Sequence, residues 1–189
     1  MNRKSKDGKP RINVHTDLSA DVGVKSEAFL MELLSKHENP LLLVLDGVQD
    51  PHNLGSCLRT ADAAGVLAVI SPKDRAVSLT KTVRLKACGA AEHIPFVQVT
   101  NLRSTLDKLK KKDFWIVGTS DRAKQSIYEI DLKGPLAIVL GAEGKGLRHL
   151  TAETCDFLAT LPMKGHVDCL NVSVAAGVCL YEALRQRSL

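Results

Sequence analysis

Leu41–Arg59 reads LLLVLDGVQDPHNLGSCLR. Its first five residues form a continuous apolar run, too short for a core helix and without a polar face, as a strand reads when helices cover both sides of a sheet. A polar turn containing Pro51 ends the run. Asn53 can cap the helix that follows, and Gly55 in its first turn admits a second backbone at close range. Arg59 lies further along that helix, within reach of a phosphate at the strand's carboxyl end. Strand, turn and helix together make the first half of a βαβ unit.

The same grammar recurs to the C-terminus. VLAVI (66–70), FVQV (96–99), FWIVG (114–118), LAIVL (136–140) and FLATL (157–161) are each of strand length. Helical segments at 54–64, 79–88, 101–111 and 146–153 lie between them, with Asn53, Ser78 and Asn101 as expected caps. The pattern predicts an α/β fold: a mostly parallel sheet with helices on both faces. Upstream, residues 1–26 are polar and predict a flexible arm, after which Ser26 caps EAFLMELLSKH, closed before Pro40. The expected organisation is therefore a basic arm plus short helix over 1–40 and a single domain over 41–189. A chain of 189 residues can bury the core of one such domain.

Hydrophobic residues at 44% and charged ones at 25% are ordinary for a globular chain and exclude a disordered class. The net charge of +5 is concentrated in the tail: Arg3, Lys4, Lys6, Lys9 and Arg11 against Asp7 leave the body near +1. Phosphate binding must then come from local clusters, such as Lys73 with Arg75, Lys81, Arg84 and Lys86, or the run Lys108–Lys112, which also reads as a solvated helix face. Five cysteines (57, 88, 155, 169, 179) without a C-x-x-C pair argue against a disulfide framework or zinc knuckle and predict a reducing, cytoplasmic setting. No run of about 20 apolar residues is present to cross a membrane, and the N-terminus lacks the apolar core of a secretory signal.

Parallel sheets of this class bind ligands beyond the carboxyl ends of their strands. Four loops leave from that rim: after Leu45, at Thr119, at Gly141 and at Pro162. The dinucleotide fingerprint, the P-loop and the G-x-S-x-G elbow are all absent. Asp46, Asp50 and His52 are better read as turn and cap residues than as metal ligands. LGAEGKG (140–146) is a Gly-rich loop carrying Glu143; it is either a plain connection or a ligand loop with free backbone N–H groups. LPMKGHVDCLNVSVAA (161–176) joins the last strand to the last helix. There Asn171 can simply cap the helix, and Ser173, Ala175 and Ala176 can simply allow close packing. Arg59 can equally pair with Asp62 or Asp46.

Read in order, NLGSCLR with Asn53, Gly55 and Arg59, then LGAEGKGL, then LPMKGHVDCLNVSVAAG resemble the three motifs of the SpoU (TrmH) family of RNA ribose 2′-O-methyltransferases, over about Leu41 to Arg187. LDGVQDPHNLGSCLRTADAAGV, KACGAAE and LYEALRQR resemble most the members that methylate a guanosine ribose in large-subunit (23S) ribosomal RNA. The resemblance implies a deep C-terminal trefoil knot, a homodimer whose subunits complete the site together, S-adenosylmethionine as methyl donor, and RNA as substrate, with no metal required. By motif position it implies a donor site at Thr119, Gly141, Leu161, Met163 and Leu170, and catalytic roles for Arg59, Asn53, Glu143, Asn171 and Ser173. Arg59 would grip a phosphate and steady the developing alkoxide, with Glu143 or the phosphate as proton acceptor. A guanidinium with a pKa above ~12 is a poor base. Cys169 departs from the family's Ser, which keeps open a non-catalytic RNA-binding or ribosome-assembly module on the same fold.

Overall fold

A computed structural model describes residues 23–188. Seven strands form one sheet: β1 (Leu41–Asp46), β2 (Ala68–Pro72), β3 (Phe96–Val99), β4 (Trp115–Thr119), β5 (Gln125–Ser126), β6 (Leu136–Gly141) and β7 (Phe157–Thr160). Their order is β3-β2-β1-β6-β4-β7-β5, and every pairing is parallel. β7 thus lies between β4 and β5, although only residues 120–124 connect those two strands in sequence.

Alternation along the strands divides the core in two. Leu41, Leu43 and Leu45 of β1 face one side, with Leu136, Ile138 and Leu140 of β6; Leu42, Val44, Ala137 and Val139 face the other. The first side is covered by α2 (Pro51–Ala63), α3 (Lys81–Ala87) and α6 (Val172–Arg187), the second by α1 (Glu27–Leu34) and α4 (Leu102–Lys110). α5 (His149–Thr154) packs beside α4. Leu42, Leu43 and Leu45 are fully buried, each stabilising the fold by roughly 1.5–3 kcal/mol.

All six expected strands form, within two residues at their ends. Three local expectations fail for identifiable reasons. Asn53 is the third residue of α2 and does not cap it: Pro51 takes the first helical position, where its missing N–H costs nothing, and the Asp50 carboxylate accepts from the His52 N–H at 2.9 Å. Ser78 is displaced as a cap by Thr80, whose hydroxyl accepts from the Val83 N–H, while Ser78 donates to Gln98. The helix expected from 146 starts at His149, because Ala142 and Gly146 are spent on a backbone bridge. Of the expected arm, residues 1–22 lie outside the described residues; Lys25 is bridged to Val97 at the edge of β3 instead of hanging free. Gly55 does what its position demands: a Cβ there would stand 2.5 Å from Lys86 Cβ and 2.8 Å from the Val83 carbonyl, so α2 and α3 cross at backbone contact.

Candidate active site

The loop after β6 doubles back on its own strand. A Cβ at Gly141 would fall 2.0 Å from the Gly146 carbonyl carbon, and no side chain fits. Gly144 (φ +71°) and Gly146 (φ +65°) make the left-handed turns that this requires, and the Gly146 N–H donates to the Ala142 carbonyl at 2.9 Å. Glu143 stands at the head of the reversal.

There it meets the last helix. Asn171 caps α6 with its Oδ1, which accepts from the Ser173 N–H (2.9 Å) and the Ser173 hydroxyl (2.6 Å). Its Nδ2 donates one hydrogen to Asn53 Oδ1 (2.9 Å) and the other to Glu143 Oε1 (2.5 Å). A carboxylate only accepts, so the Glu143 contact fixes which way the Asn171 amide points. Glu143 also accepts from the Val172 N–H at 3.4 Å, at the positive end of α6. Asn171 is therefore a cap and a cross-link at once: its side chain joins one residue from each of the three motifs. Beneath them Cys57 is buried, and its thiol is pushed up to about 12, first by burial and then by the Glu143 charge.

Arg59 is not hydrogen-bonded to this group. It lies six residues beyond Asn53 on α2, about 9 Å along the axis and a third of a turn around it. Its guanidinium donates to the sulfur of Cys88 (3.6 Å), a left-handed residue (φ +52°) closing α3. Neither expected surface pairing of Arg59 occurs: Asp46 is taken by Arg148, and no ion pair joins Arg59 to Asp62 among the described residues.

On the other side, Thr119, Gly141 and Leu161 stand at or just past the carboxyl ends of β4, β6 and β7, where β4 pairs with both of the others. Met163 and Leu170 are half-buried at the two ends of a loop whose Lys164–Cys169 stretch is exposed. Among the described residues no hydrogen bond joins these five to the Asn53 group; adjacency along the rim is what relates them.

The pair that sequence reasoning missed is Asp46 with Arg148. Asp46 is 1% exposed and accepts from the Arg148 N–H at 3.0 Å and from its guanidinium at 2.5 Å. Asp46 ends β1 directly opposite Gly141, and Arg148 immediately precedes α5, just past the Glu143 loop. A charged residue at the end of an apolar strand was the available signal; its partner had none.

Residues 40–181 match the model of the SpoU rRNA Methylase family. The chain belongs to that family. Among curated SpoU relatives, the 23S rRNA (guanosine-2′-O-)-methyltransferase RlmB of Pseudomonas syringae pv. tomato is 62% identical over 93% of this chain and 72% of its own length. RlmB of Vibrio cholerae is 57% identical over 99% and 77%. Among solved SpoU structures, an RNA 2′-O ribose methyltransferase superposes with a TM-score of 0.75 at 37% identity, covering 81% of this chain and 58% of that one. AviRb of Streptomyces viridochromogenes, in complex with AdoMet, gives 0.76 at 28% identity, over 80% and 59%. The chain thus spans about three quarters of these curated relatives and under two thirds of these solved chains.

Proposed function

We propose that this SpoU chain transfers the methyl group of S-adenosylmethionine to the ribose 2′-hydroxyl of a guanosine in 23S ribosomal RNA. The observation that carries the reading is the Asn171 amide spanning Asn53 and Glu143, since it draws all three motifs to one point on the rim. The relatives named above supply the substrate class.

The donor site would lie at the ends of β6, β4 and β7. Half-buried Leu161, Met163 and Leu170 offer an apolar surface of the kind an adenine ring needs, bounded by Thr119 and Gly141 at the ends of β4 and β6. When bound, the donor supplies an electrophilic methyl carbon on a sulfonium that is its own leaving group, so the transfer calls for no metal. Arg59, exposed beyond the cluster, grips the phosphate next to the target ribose and steadies the negative charge developing on the 2′-oxygen. Glu143 accepts the departing proton, or leaves that to the phosphate. Asn53 and Asn171 hold Glu143 in register for that step, and Ser173 holds Asn171.

The catalytic unit is residues 41–189, preceded by the basic arm. Its C-terminal part is a trefoil knot, a reading supported by the place of β7 in the sheet between β4 and β5, which only residues 120–124 join in sequence. It works as a homodimer. In support, α6 shows solvent an apolar stripe of Val174 and Tyr181, each 51% exposed, and Leu184. Its setting is the cytoplasm, in keeping with five free cysteines and a ribosomal substrate. The test is transfer of labelled methyl to 23S rRNA by the purified chain, followed by mapping of ribose methylation. Label confined to one guanosine 2′-oxygen is the expected result; no ribose label, or no affinity for S-adenosylmethionine in calorimetry, sinks the reading.

A further inference from the structure

At the far end of the same rim, a cleft of about 370 Å³ opens where β2 and β3 end, walled by the first residues of α1 and α4. Two lysines border it. Lys73 leaves β2 with its N–H on the Val99 carbonyl, and Lys25 is pinned by its backbone to Phe96 and Gln98. Neither ammonium has a carboxylate partner among the described residues. The acid in the wall, Glu27, does not offset them, because Lys108 (2.9 Å) and the Thr105 hydroxyl (2.7 Å) already occupy it. Val99 contributes apolar surface and Gln98 and Thr100 polar groups. Cationic edges around a mixed interior suit a nucleotide: phosphate outside, base inside.

Position strengthens the case. Strand order places the cleft one to two strands from β1, roughly 5–10 Å away. The proposed donor site lies on the opposite flank, at β6, β4 and β7, so along the rim the end of β1, from which α2 and Asn53 depart, falls between the two, with α2 on the face opposite α1 and α4. The turn after β2 also touches the turn after β1: the Val77 N–H donates to the Val48 carbonyl at 3.0 Å. A strand of RNA that leaves the target ribose across this rim, on the side away from the donor, would pass over these two turns and reach the cleft.

We propose that the cleft bordered by Lys25 and Lys73 is a subsite for a nucleotide flanking the methylated ribose in the RNA substrate. The proposal rests on the function given above, and its test reads binding separately from transfer. Binding of a 23S rRNA fragment by the full chain would be titrated against salt for Lys25→Ala/Lys73→Ala, with Lys111→Ala/Lys112→Ala, exposed at the other end of α4, as the control. Two lost phosphate contacts predict about tenfold weaker binding and a salt slope shallower by roughly 1 to 2, with unchanged affinity for S-adenosylmethionine. Unchanged RNA binding, an equal loss in the control, or no RNA binding by the native chain at low salt would overturn it. A chain that binds RNA through these lysines but transfers no methyl would instead overturn the function and leave the subsite standing.

Discussion

Asp46 and Arg148, 102 residues apart, close the Glu143 loop from below: the buried carboxylate takes both the main-chain N–H and the guanidinium of Arg148, and so ties the end of β1 to the start of α5. Gly141 fixes the loop's departure by backbone contact; this pair fixes its return. Arg148→Ala leaves the carboxylate with one hydrogen-bond donor and is expected to cost about 2 kcal/mol in denaturant unfolding. Donor affinity should fall with it, and Arg148→Lys should restore less than half of either, because a point charge cannot supply the same fork.

Asn171 separates capping from cross-linking. Asn171→Asp keeps a good cap for α6 but replaces the two-hydrogen donor with an acceptor facing Glu143. Methyl transfer should drop at least tenfold with little change in melting temperature. Asn171→Ala should show the same loss of turnover together with about 1 kcal/mol of destabilisation.

For Arg59, the role rests on charge and planar shape at the RNA. Arg59→Ala should lower the rate of transfer by roughly 10²–10³ while calorimetry finds donor binding unaltered. Near-normal turnover in Arg59→Lys would rule out bidentate phosphate recognition.

The thiols divide by burial. Cys57, Cys155 and Cys179 are held at about 12, with burial the largest cause in each, whereas Cys88 and Cys169 are exposed. Iodoacetamide at pH 8 should label the latter two alone in the native chain, read by peptide mass spectrometry, and all five in urea. Labelling of Cys88, which receives the Arg59 hydrogen bond, should impair transfer more than RNA binding.

Glu182 makes the last helix acid-sensitive. Hydrogen bonds from Arg185, then Gln186, outweigh burial and hold its carboxyl at about 2, against an ordinary 4.5. A depressed carboxyl stabilises the fold fully above its unfolded value and loses that contribution as pH falls toward 2. Stability measured between pH 5 and 2.5 should therefore decline less steeply in Glu182→Gln than in the native chain.

Much of this could be read without coordinates because the strands are uninterrupted apolar runs: LLLVL and LAIVL have no other way to be buried in segments so short. β5 escaped because two residues, Gln125 and Ser126, carry no periodicity, and only β7 makes them a strand. Asn53 looked like a cap because Asn is a good one, but Pro51 and Asp50 upstream settle the helix start and free its amide for Asn171. The three motifs were legible as a family pattern. That one side chain hydrogen-bonds across all three was not, since hydrogen bonds between residues 28 and 118 positions apart leave no local trace.

The place of β7 also governs how the chain is assembled. Among the described residues, β5 has no neighbour in the sheet other than β7, and β7 is the last strand in sequence. On the ribosome, the sheet therefore cannot be finished by adding strands at an edge as they emerge. β4 and β5 must wait, their facing backbone groups unpaired, until residues 157–160 arrive to fill the gap between them. Closure of the sheet is thus tied to the emergence of β7, and a chain interrupted before it is left with open strand edges of the kind that aggregate.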